Sequence, residues 1–513
     1  MAVNAVIHAG FLACLLVFAR TLLVGARFTL AAILLTLLFV LAFDWENTLQ
    51  GFQSQFYLLE WTAFTSLLLL AGSAPLSSRW FLGWLAAAAG LGTMSSGFLA
   101  PAAAIAVLVL RASFRRTVGW RDWVAGLLLV PLCVVGLATL VTVPGHAVLK
   151  AHTLGEWLSA LAAALSWPDL ALPGAFLVMQ LPFSVLLFRS LSLRRVEDGE
   201  AGLLSLGIWS WVQAAVVAYG RANQGMIASP RYSDLFAVAA AVNLLALGRL
   251  WQPGPKGRAW GLFAALWGCA YLCGLGTLER RAYDFYLGDF ARLKPLEKAH
   301  VRSFLASGDR ALLNQTPVHE LPYPMPGGLA DLLSEPAIRS VLPASVRPPL
   351  ALEPVPGSSG FHVEVDPATG ARTWEARQGP ARFVSSAFPA SILPFVRIAI
   401  RGSPELTVSV LRIEPTEGGP AEPGPRLSQE QWTVREFPVP ESASAHLVVE
   451  VPGGAHFVAF TEPVELGGLS WFTHWILRRS RTVEAAGAIL FGMALTALLL
   501  FDLRGDKELR EVK

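Results

Sequence analysis

Long apolar stretches separated by short polar loops dominate the amino-terminal half of this chain. A helix needs about 20 such residues to cross a bilayer. By this criterion we predict about eleven membrane helices. They cover residues 4–19, 27–43, 54–72, 80–94, 97–110, 123–143, 173–189, 203–219, 232–248, 259–278 and 482–502. The pattern predicts an all-α polytopic membrane domain.

Lysine and arginine residues concentrate in alternate loops between these predicted helices. Because cytoplasmic loops carry the excess of positive charge, we predict that this side is cytoplasmic. The amino terminus then lies outside. The first apolar run, Val3–Ala19, has neither the basic start nor the cleavage site of a signal peptide. We therefore expect that one further helix and an outer loop precede Met1 in the complete gene.

A long segment without a spanning stretch follows the predicted helix at 259–278. We predict a helical, proline-rich connector over 279–360 and a β domain over 361–475, both outside the cytoplasm. Short alternating runs such as FVRIAI and HLVVEV predict about seven strands, which is typical of a β-sandwich. Residues 476–513 are predicted to form the last membrane helix and a cytoplasmic tail, and residues 1–278 the membrane domain. The predicted fold class is thus a polytopic helical domain with an extracytoplasmic α+β region.

Composition supports a membrane protein and excludes several other classes. Hydrophobic residues make up 54% of the chain and charged residues 15%, with a mean hydropathy of +0.51. These values are unusual for a soluble protein. The net charge is only +3, and the basic residues are scattered, so no nucleic-acid partner is indicated. The cysteines show no disulfide or zinc spacing; they are Cys14, Cys133, Cys269 and Cys273.

A dense polar stripe runs from the second apolar stretch into the third. Its members recur at the spacing of one helical face. They are Glu46, Gln50, Gln53, Tyr57 and Glu60, with Asp44 and Asn47 beside them. Polar groups are costly in a membrane unless they face a cavity or water. The alternative interpretation is a helix at the membrane boundary whose polar face meets water or lipid headgroups.

Each residue type in the stripe suits a different task. The carboxylates Asp44, Glu46 and Glu60 are the candidate catalytic groups, because a carboxylate can act as a general base. Carboxylate oxygens could also hold a divalent metal such as Mg²⁺ or Mn²⁺, although no motif identifies a cofactor. The candidate substrate-binding residues carry amide or hydroxyl groups, which suit sugar hydroxyls; they are Asn47, Gln50, Gln53 and Tyr57.

The predicted outer loop Tyr219–Asp234, YGRANQGMIASPRYSD, is the second candidate. Arg221 and Arg231 lie near the predicted membrane face, where an arginine can bind a phosphate with paired hydrogen bonds. With Tyr232 they are the candidate lipid-phosphate-binding residues. The alternative interpretation is that Arg231 caps the helix end or pairs with Asp234.

Other polar positions are weaker candidates. The stretch Lys150–Asp169 predicts an amphipathic helix on the outer surface, from which His152, Glu156 and Asp169 could reach a site. Ser95 and Ser96 suit close helix packing or a helix break. Three tryptophans of the β domain could stack on sugars, but core packing is the alternative for each; they are Trp374, Trp432 and Trp471.

Three of these segments together resemble bacterial membrane proteins of the glycosyltransferase C superfamily. They are WENTLQGFQSQF, SSGF two helices later, and SPRYSDLF at the start of a late helix. The resemblance implies an enzyme that takes a sugar from a polyprenyl-phosphate donor at the outer face of the bacterial inner (plasma) membrane. It implies that Arg231 and Arg221 bind the lipid phosphate. The Glu46 segment would serve the acceptor or a metal.

In that superfamily the catalytic carboxylate lies in the first outer loop, for which this sequence has no counterpart. The catalytic residue therefore stays open, and a hexosyltransferase-like activity is a hypothesis. The expected partners are a polyprenyl-phosphate-linked sugar, a glycan or lipid acceptor, and membrane lipids. Two alternatives remain. One is a truncated or non-catalytic membrane anchor that presents a glycan-binding β domain, and the other is a transporter of lipids or sugars.

Overall fold

The computed structural model of the chain is mostly helical (63%) and contains a small region of antiparallel sheet. It describes residues 2–49, 53–115, 118–141, 144–169, 172–197, 199–223, 229–251, 255–323, 325–365, 372–389, 392–407, 411–414, 426–439 and 445–477, with residues 479, 481, 482, 485 and 489. The described residues form two compact units, one within Met1–Gly288 and one within Asp289–Ala494.

The first unit is built from helices. They are α1 (Ala2–Leu22), α2 (Ala26–Val40), α3 (Trp45–Leu49), α4 (Ser54–Gly72), α5 (Ser78–Gly90), α6 (Leu99–Ser113), α7 (Trp120–Ala138), α8 (Leu154–Leu165), α9 (Phe176–Met179), α10 (Leu181–Ser192), α11 (Glu200–Arg221), α12 (Ser233–Leu250) and α13 (Pro255–Arg281). Short 3₁₀ turns include Ala42–Asp44, Pro144–Leu149, Pro173–Ala175 and Pro230–Tyr232, and a π-helical turn covers Ala282–Leu287.

Six helical segments in the described part of the chain are long and apolar enough to span a bilayer. They are Asn4–Leu22, Ala26–Thr48, Trp120–Ala138, Glu200–Arg221, Pro230–Leu250 and Ala259–Ser307. These helices are compatible with a multi-pass membrane protein. Helices also lie over the other predicted stretches up to residue 278, but they are shorter or more polar. Most of the predicted helix at 482–502 lies outside the described residues.

The predicted helix at 173–189 is wrong in detail. A 3₁₀ turn and α9 are followed by a separate helix, α10, with the break at Gln180. Pro182 explains the break, because proline lacks the N–H that a continuous helix would need at that position. The second predicted helix is also shorter than expected: Leu41 takes an extended backbone conformation, so α2 ends at Val40.

Helices α11 and α12 form the centre of this unit. Helix α11 packs against α4, α6, α8 and α12. The segment Pro230–Leu250 is 89% buried inside the structure, whereas Trp120–Ala138 is 22% buried. A helix that is buried on all sides must satisfy its polar groups through neighbouring helices, because neither lipid nor water reaches them.

The second unit begins with one 20-residue helix followed by three short helices. They are α14 (Gly288–Ser307), α15 (Ala311–Asn314), α16 (Pro326–Ser334) and α17 (Pro336–Val341), and α18 (Gly468–Leu477) follows the strands. Apolar side chains of α14 to α16, including Phe304, Leu313 and Leu333, form one cluster.

The strands of this unit form two antiparallel sheets among the described residues. They are β1 (His362–Val365), β2 (Arg372–Ala376), β3 (Gly379–Val384), β4 (Phe395–Gly402), β5 (Leu411–Glu414), β6 (Thr433–Pro438), β7 (His446–Gly454), β8 (Val458–Thr461) and β9 (Val464–Leu466). The order is β1-β2-β8-β4-β6 in one sheet, with β9 also on β4, and β3-β7-β5 in the other. Alternate residues of β4 are buried, and both sheets contribute to one apolar cluster through residues such as Ile398 and Val449.

Candidate functional site

The polar stripe predicted between the second and third apolar stretches does not lie on one continuous helix among the described residues. A 3₁₀ turn ends at Asp44, α3 begins at Trp45, and α4 begins at Ser54. Gln50 lies outside the described residues. The structure nevertheless brings Asp44, Asn47 and Tyr57 together, because the 3₁₀ turn, α3 and the start of α4 pack against one another.

Asp44 is the centre of a buried hydrogen-bond network. Its Oδ2 accepts a hydrogen bond from the Tyr57 hydroxyl at 2.6 Å and another from Thr48 Oγ1 at 3.0 Å. His8 of α1 lies beside it, with Nδ1 at 3.9 Å from the same oxygen. Asp44 is 5% exposed, so this carboxylate is held inside the protein.

Asp234, at the start of α12, lies next to Asp44. It is fully buried and accepts a hydrogen bond from Asn47 Nδ2 at 2.8 Å. Asn47 Nδ2 also donates to the backbone carbonyl of Arg231 at 2.9 Å. Asn4 of α1 in turn donates to the backbone carbonyl of Asn47 at 2.7 Å. One asparagine therefore joins α3 to the segment that begins α12.

Glu46 and Arg231 form a second contact between the same two segments. Arg231 Nη2 lies 2.8 Å from Glu46 Oε1, and Ser229 Oγ donates to Glu46 Oε2 at 3.2 Å. The side chain of Arg231 is 33% exposed and that of Glu46 is 9% exposed. Of the two contacts in the alternative interpretation, pairing of Arg231 with Asp234 is not the one that forms, since Arg231 pairs with Glu46. The guanidinium of Arg231 forms an ion pair with Glu46, whereas Asp234 accepts a hydrogen bond from the side-chain amide of Asn47.

A basic surface lies beside this ion pair; we define it by Lys150, Arg221 and Arg231. Arg221 Nε donates to the Tyr232 hydroxyl at 2.7 Å, and its Nη2 is 3.4 Å from His146 Nδ1. Burial lowers the pKa of His146, and the positive charges of Arg221, Lys150 and Arg231 lower it further. All three cations therefore act on the imidazole of His146.

Two buried side chains from the stripe have unsatisfied polar atoms. Glu60 and Gln53 are each 1% exposed, and their side-chain oxygens and nitrogen have no hydrogen-bond partner among the described residues. Glu60 interacts electrostatically with Asp44, and Asp234 with both. We call Asp44, Glu60 and Asp234 the buried acidic cluster. Within the described ranges, no lysine or arginine forms an ion pair with any of its members.

His8 was not among the predicted site residues, and Asp234 was considered only as a partner for Arg231. A histidine within an apolar stretch was the available signal for His8, since polar residues inside membrane helices often have a function. For Asp234 the signal was its place in SPRYSD, at the start of a helix that is otherwise apolar.

The weaker candidates have mainly structural contacts. Glu156 forms a capping box with Thr153 at the start of α8. A hydrogen bond from the backbone N–H of His152 lowers the pKa of the Glu156 carboxyl group. Ser96 accepts a hydrogen bond from Gln213 at 3.0 Å, consistent with close packing of α11 on the turn before α6.

The tryptophans of the β domain differ in their surroundings. Trp374 is 7% exposed and lies in the apolar core, and Trp471 stacks on Phe395. Trp432 is 40% exposed and carries the guanidinium of Arg401 over its ring at 4.7 Å. Core packing therefore describes Trp374 well, and only Trp432 presents a large part of its surface to solvent.

Comparisons with known proteins return no match, so the contacts described above are the evidence for function. No protein-family model matches the chain. A search of curated proteins likewise returns no match.

Proposed function

We propose that this protein is a membrane glycosyltransferase that uses a polyprenyl-phosphate-linked sugar as donor. The observation that carries the proposal is the contact of Glu46 with Arg231 at the edge of the basic surface. A carboxylate and a group of cations at the membrane boundary provide the two functions that the reaction needs, a general base and a phosphate site. The resemblance of three sequence segments to the glycosyltransferase C superfamily supports the same assignment.

Arg231 and Arg221 would bind the lipid phosphate. The guanidinium of Arg231 is partly exposed, so a phosphate could take the place of Glu46 as its partner. Arg221 already spans Tyr232 and His146, which fixes its position near that phosphate. Arginine suits this task because its donors match the oxygens of a phosphate in pairs.

Release of Glu46 from Arg231 would then produce the base. The carboxylate of Glu46 accepts the proton of the acceptor hydroxyl, and the hydroxyl oxygen attacks the anomeric carbon. The bond between that carbon and the phosphate oxygen breaks, and polyprenyl phosphate leaves with the electron pair. The cations stabilise the charge that develops on the leaving phosphate. The configuration at the anomeric carbon is inverted.

The candidate substrate-binding residues divide into two groups by their hydrogen bonds. Asn47 and Tyr57 are buried and already bonded to Asp234 and Asp44, so we assign them to positioning those carboxylates. Gln53 has an unsatisfied amide, so it is the remaining candidate for a sugar hydroxyl among the described stripe residues.

The proposal includes a topology. About eleven spans would place residues 279–475 outside the cytoplasm of a bacterial cell, with the strands as a β-sandwich. The grouping of Asp44, Arg221 and Asp234 supports a topology in which successive helices cross the membrane in opposite directions. The end of α11 and the starts of α1, α4 and α12 would all lie at the outer face.

A second function has a specific observation in its favour. The buried acidic cluster lies inside the helical bundle, and intramembrane carboxylates commonly mark ion or proton pathways. A cation-coupled transporter of lipids or sugars would use Glu60, Asp44 and Asp234 as the coupling site. Glycosyl transfer explains the basic surface as well, and we therefore prefer it.

Turnover of the purified full-length chain in lipid nanodiscs tests the proposal, with a panel of polyprenyl-phosphate hexoses as donors. We expect Arg231→Ala and Glu46→Gln each to lower kcat/KM by about 100-fold or more, as loss of a group that stabilises transition-state charge does. Arg115→Ala is the matched control, because Arg115 pairs with Asp122 at the start of α7 and contacts none of the proposed site residues in the described part of the chain. It should change turnover less than twofold.

Two results would reject the assignment. Full turnover in both site variants would exclude these residues. Absence of turnover together with donor-sugar accumulation in proteoliposomes would favour transport.

A further inference from the structure

We propose that His8, Asp44 and Asp234 form a binding site for one divalent transition-metal ion, with Mn²⁺ or Zn²⁺ as the best fit. The three residues come from α1, the turn after α2, and the start of α12. One ligand atom from each lies within 4.8 Å of the other two. This inference does not rest on glycosyl transfer, since the same site could serve a transporter.

The spacing of the ligand atoms is close to that of a coordinated ion. First-row metals hold nitrogen and oxygen ligands at about 2.0–2.2 Å, whereas the centre of three atoms that are 4.8 Å apart is about 2.8 Å from each. Each ligand atom therefore has to move towards the ion by at most about 0.8 Å. Side-chain rotation alone provides shifts of that size.

Among the described residues, the one hydrogen bond of the His8 ring uses the nitrogen that faces away from the two carboxylates. Its Nε2 lies 2.7 Å from the backbone carbonyl of Phe39. A carbonyl only accepts, so Nε2 carries the proton. The other nitrogen, Nδ1, is buried and has no hydrogen-bond partner in the described part of the chain. Metal-binding histidines commonly donate their second nitrogen to a carbonyl in this way.

Glu60 is an independent indication of a cation. It is 1% exposed, and no described residue donates a hydrogen bond to either carboxylate oxygen. Its electrostatic partners are Asp44 and Asp234, the two acids of the proposed site. A buried carboxylate without a donor is costly, and a cation at the centre of these groups would remove the cost.

The charge of the site points to a divalent ion. The carboxylates of Asp44 and Asp234 lie together in the bundle, with Glu60 as the third member of the buried acidic cluster. Among the residues that the structure describes, no arginine or lysine pairs with them. Burying an isolated charged group costs several kcal/mol of free energy, and a neighbouring group of the same charge increases that cost. One imidazole with carboxylate oxygens matches the preferences of Mn²⁺ and Zn²⁺ better than those of Mg²⁺, which rarely takes a nitrogen ligand. Protons shared among the acids are the competing explanation.

The test is metal binding by the full-length chain in detergent, without any sugar donor. After treatment with a chelator and exchange into Mn²⁺ or Zn²⁺, elemental analysis should give one ion per chain. Titration followed by Mn²⁺ electron paramagnetic resonance gives the affinity. We expect His8→Gln and Asp234→Asn to weaken binding at least tenfold. The matched controls, His152→Gln and Asp122→Asn, alter exposed or distant residues and should bind as the wild type does.

Thermal unfolding keeps the test decisive if a variant folds poorly. The wild type should unfold at a lower temperature after chelation and recover on return of Mn²⁺ or Zn²⁺. Folded wild type that binds neither ion in stoichiometric amount would overturn the proposal, and protons would then account for the cluster. Unchanged affinity in folded Asp234→Asn would overturn the ligand assignment. Because no donor is present, neither result bears on glycosyl transfer.

Discussion

At the scale of single residues, Asn243 shows how polar groups are satisfied inside the bundle. It lies on the buried helix α12, and its Oδ1 accepts a hydrogen bond from the backbone N–H of Phe183 at 3.0 Å. Its Nδ2 donates to Gln180 Oε1 at 3.0 Å. Gln180 also accepts from Trp211 and donates to the carbonyl of Leu165. This network joins the end of α8 to α10, α11 and α12 at the break before α10.

We predict that Asn243→Leu destabilises the membrane unit by about 1–3 kcal/mol. The substitution leaves the N–H of Phe183 without its partner in a buried environment. Thermal unfolding in detergent, followed by circular dichroism, measures the effect. Ser190→Ala is the matched control, because among the described residues the Ser190 hydroxyl donates only to the carbonyl of Leu186 in its own helix. It should be close to neutral. Equal unfolding temperatures for Asn243→Leu and the wild type would contradict the role of this network.

At the scale of elements, the turn between α5 and α6 depends on a close backbone approach. A Cβ atom on Gly97 would lie 2.1 Å from the carbonyl oxygen of Gly90, which is far inside contact distance. The sequence predicted close helix packing or a helix break at Ser95 and Ser96, within this turn. The structure explains how so short a break suffices, since glycine lets the chain return directly against the end of α5.

Gly97→Ala is expected to destabilise the membrane unit by about 1–3 kcal/mol, because the new methyl group must displace backbone atoms. Gly92→Ala provides the comparison in the same turn. Its nearest neighbour would be the carbonyl oxygen of Ala89 at 3.5 Å, an ordinary contact. Urea or thermal unfolding of the two variants should separate them clearly. Similar stability of both would show that the turn opens at little cost.

At the scale of the whole molecule, the chain consists of two units, each with its own apolar core. The core of the first unit is formed by residues of the helices up to Leu278. The second unit has one cluster in its short helices and another between its sheets. A unit with its own core can in principle fold alone.

We therefore predict that a fragment covering residues 289–477 folds by itself and is soluble in water. It should unfold in one cooperative transition and show the far-ultraviolet spectrum of a mixed α and β protein. The variant Ile398→Ala serves as the control for native packing, because Ile398 is completely buried in β4. It should lower stability by about 2–5 kcal/mol. A fragment that aggregates or unfolds without a transition would show that this unit needs the membrane domain.

Much of the architecture was predictable because it depends on local pattern. The stretch 54–72 was predicted as a helix from its apolar residues, and α4 covers Ser54–Gly72. The alternation in FVRIAI predicted a strand, and β4 has alternate buried residues. The helix break at Gln180 was missed because the hydrophobic pattern continues across it, although Pro182 was a visible signal.

The sequence by itself determined where many of the helices and strands lie, because local hydrophobic pattern follows from neighbouring residues. Only the tertiary structure decided the partners. Asn47 contacts Asp234 across 187 residues, and Arg231 binds Glu46 instead of the nearby Asp234. His8 joined the acidic residues only when α1, α2 and α12 packed together. A local pattern cannot specify such contacts, because they depend on how distant helices pack against one another.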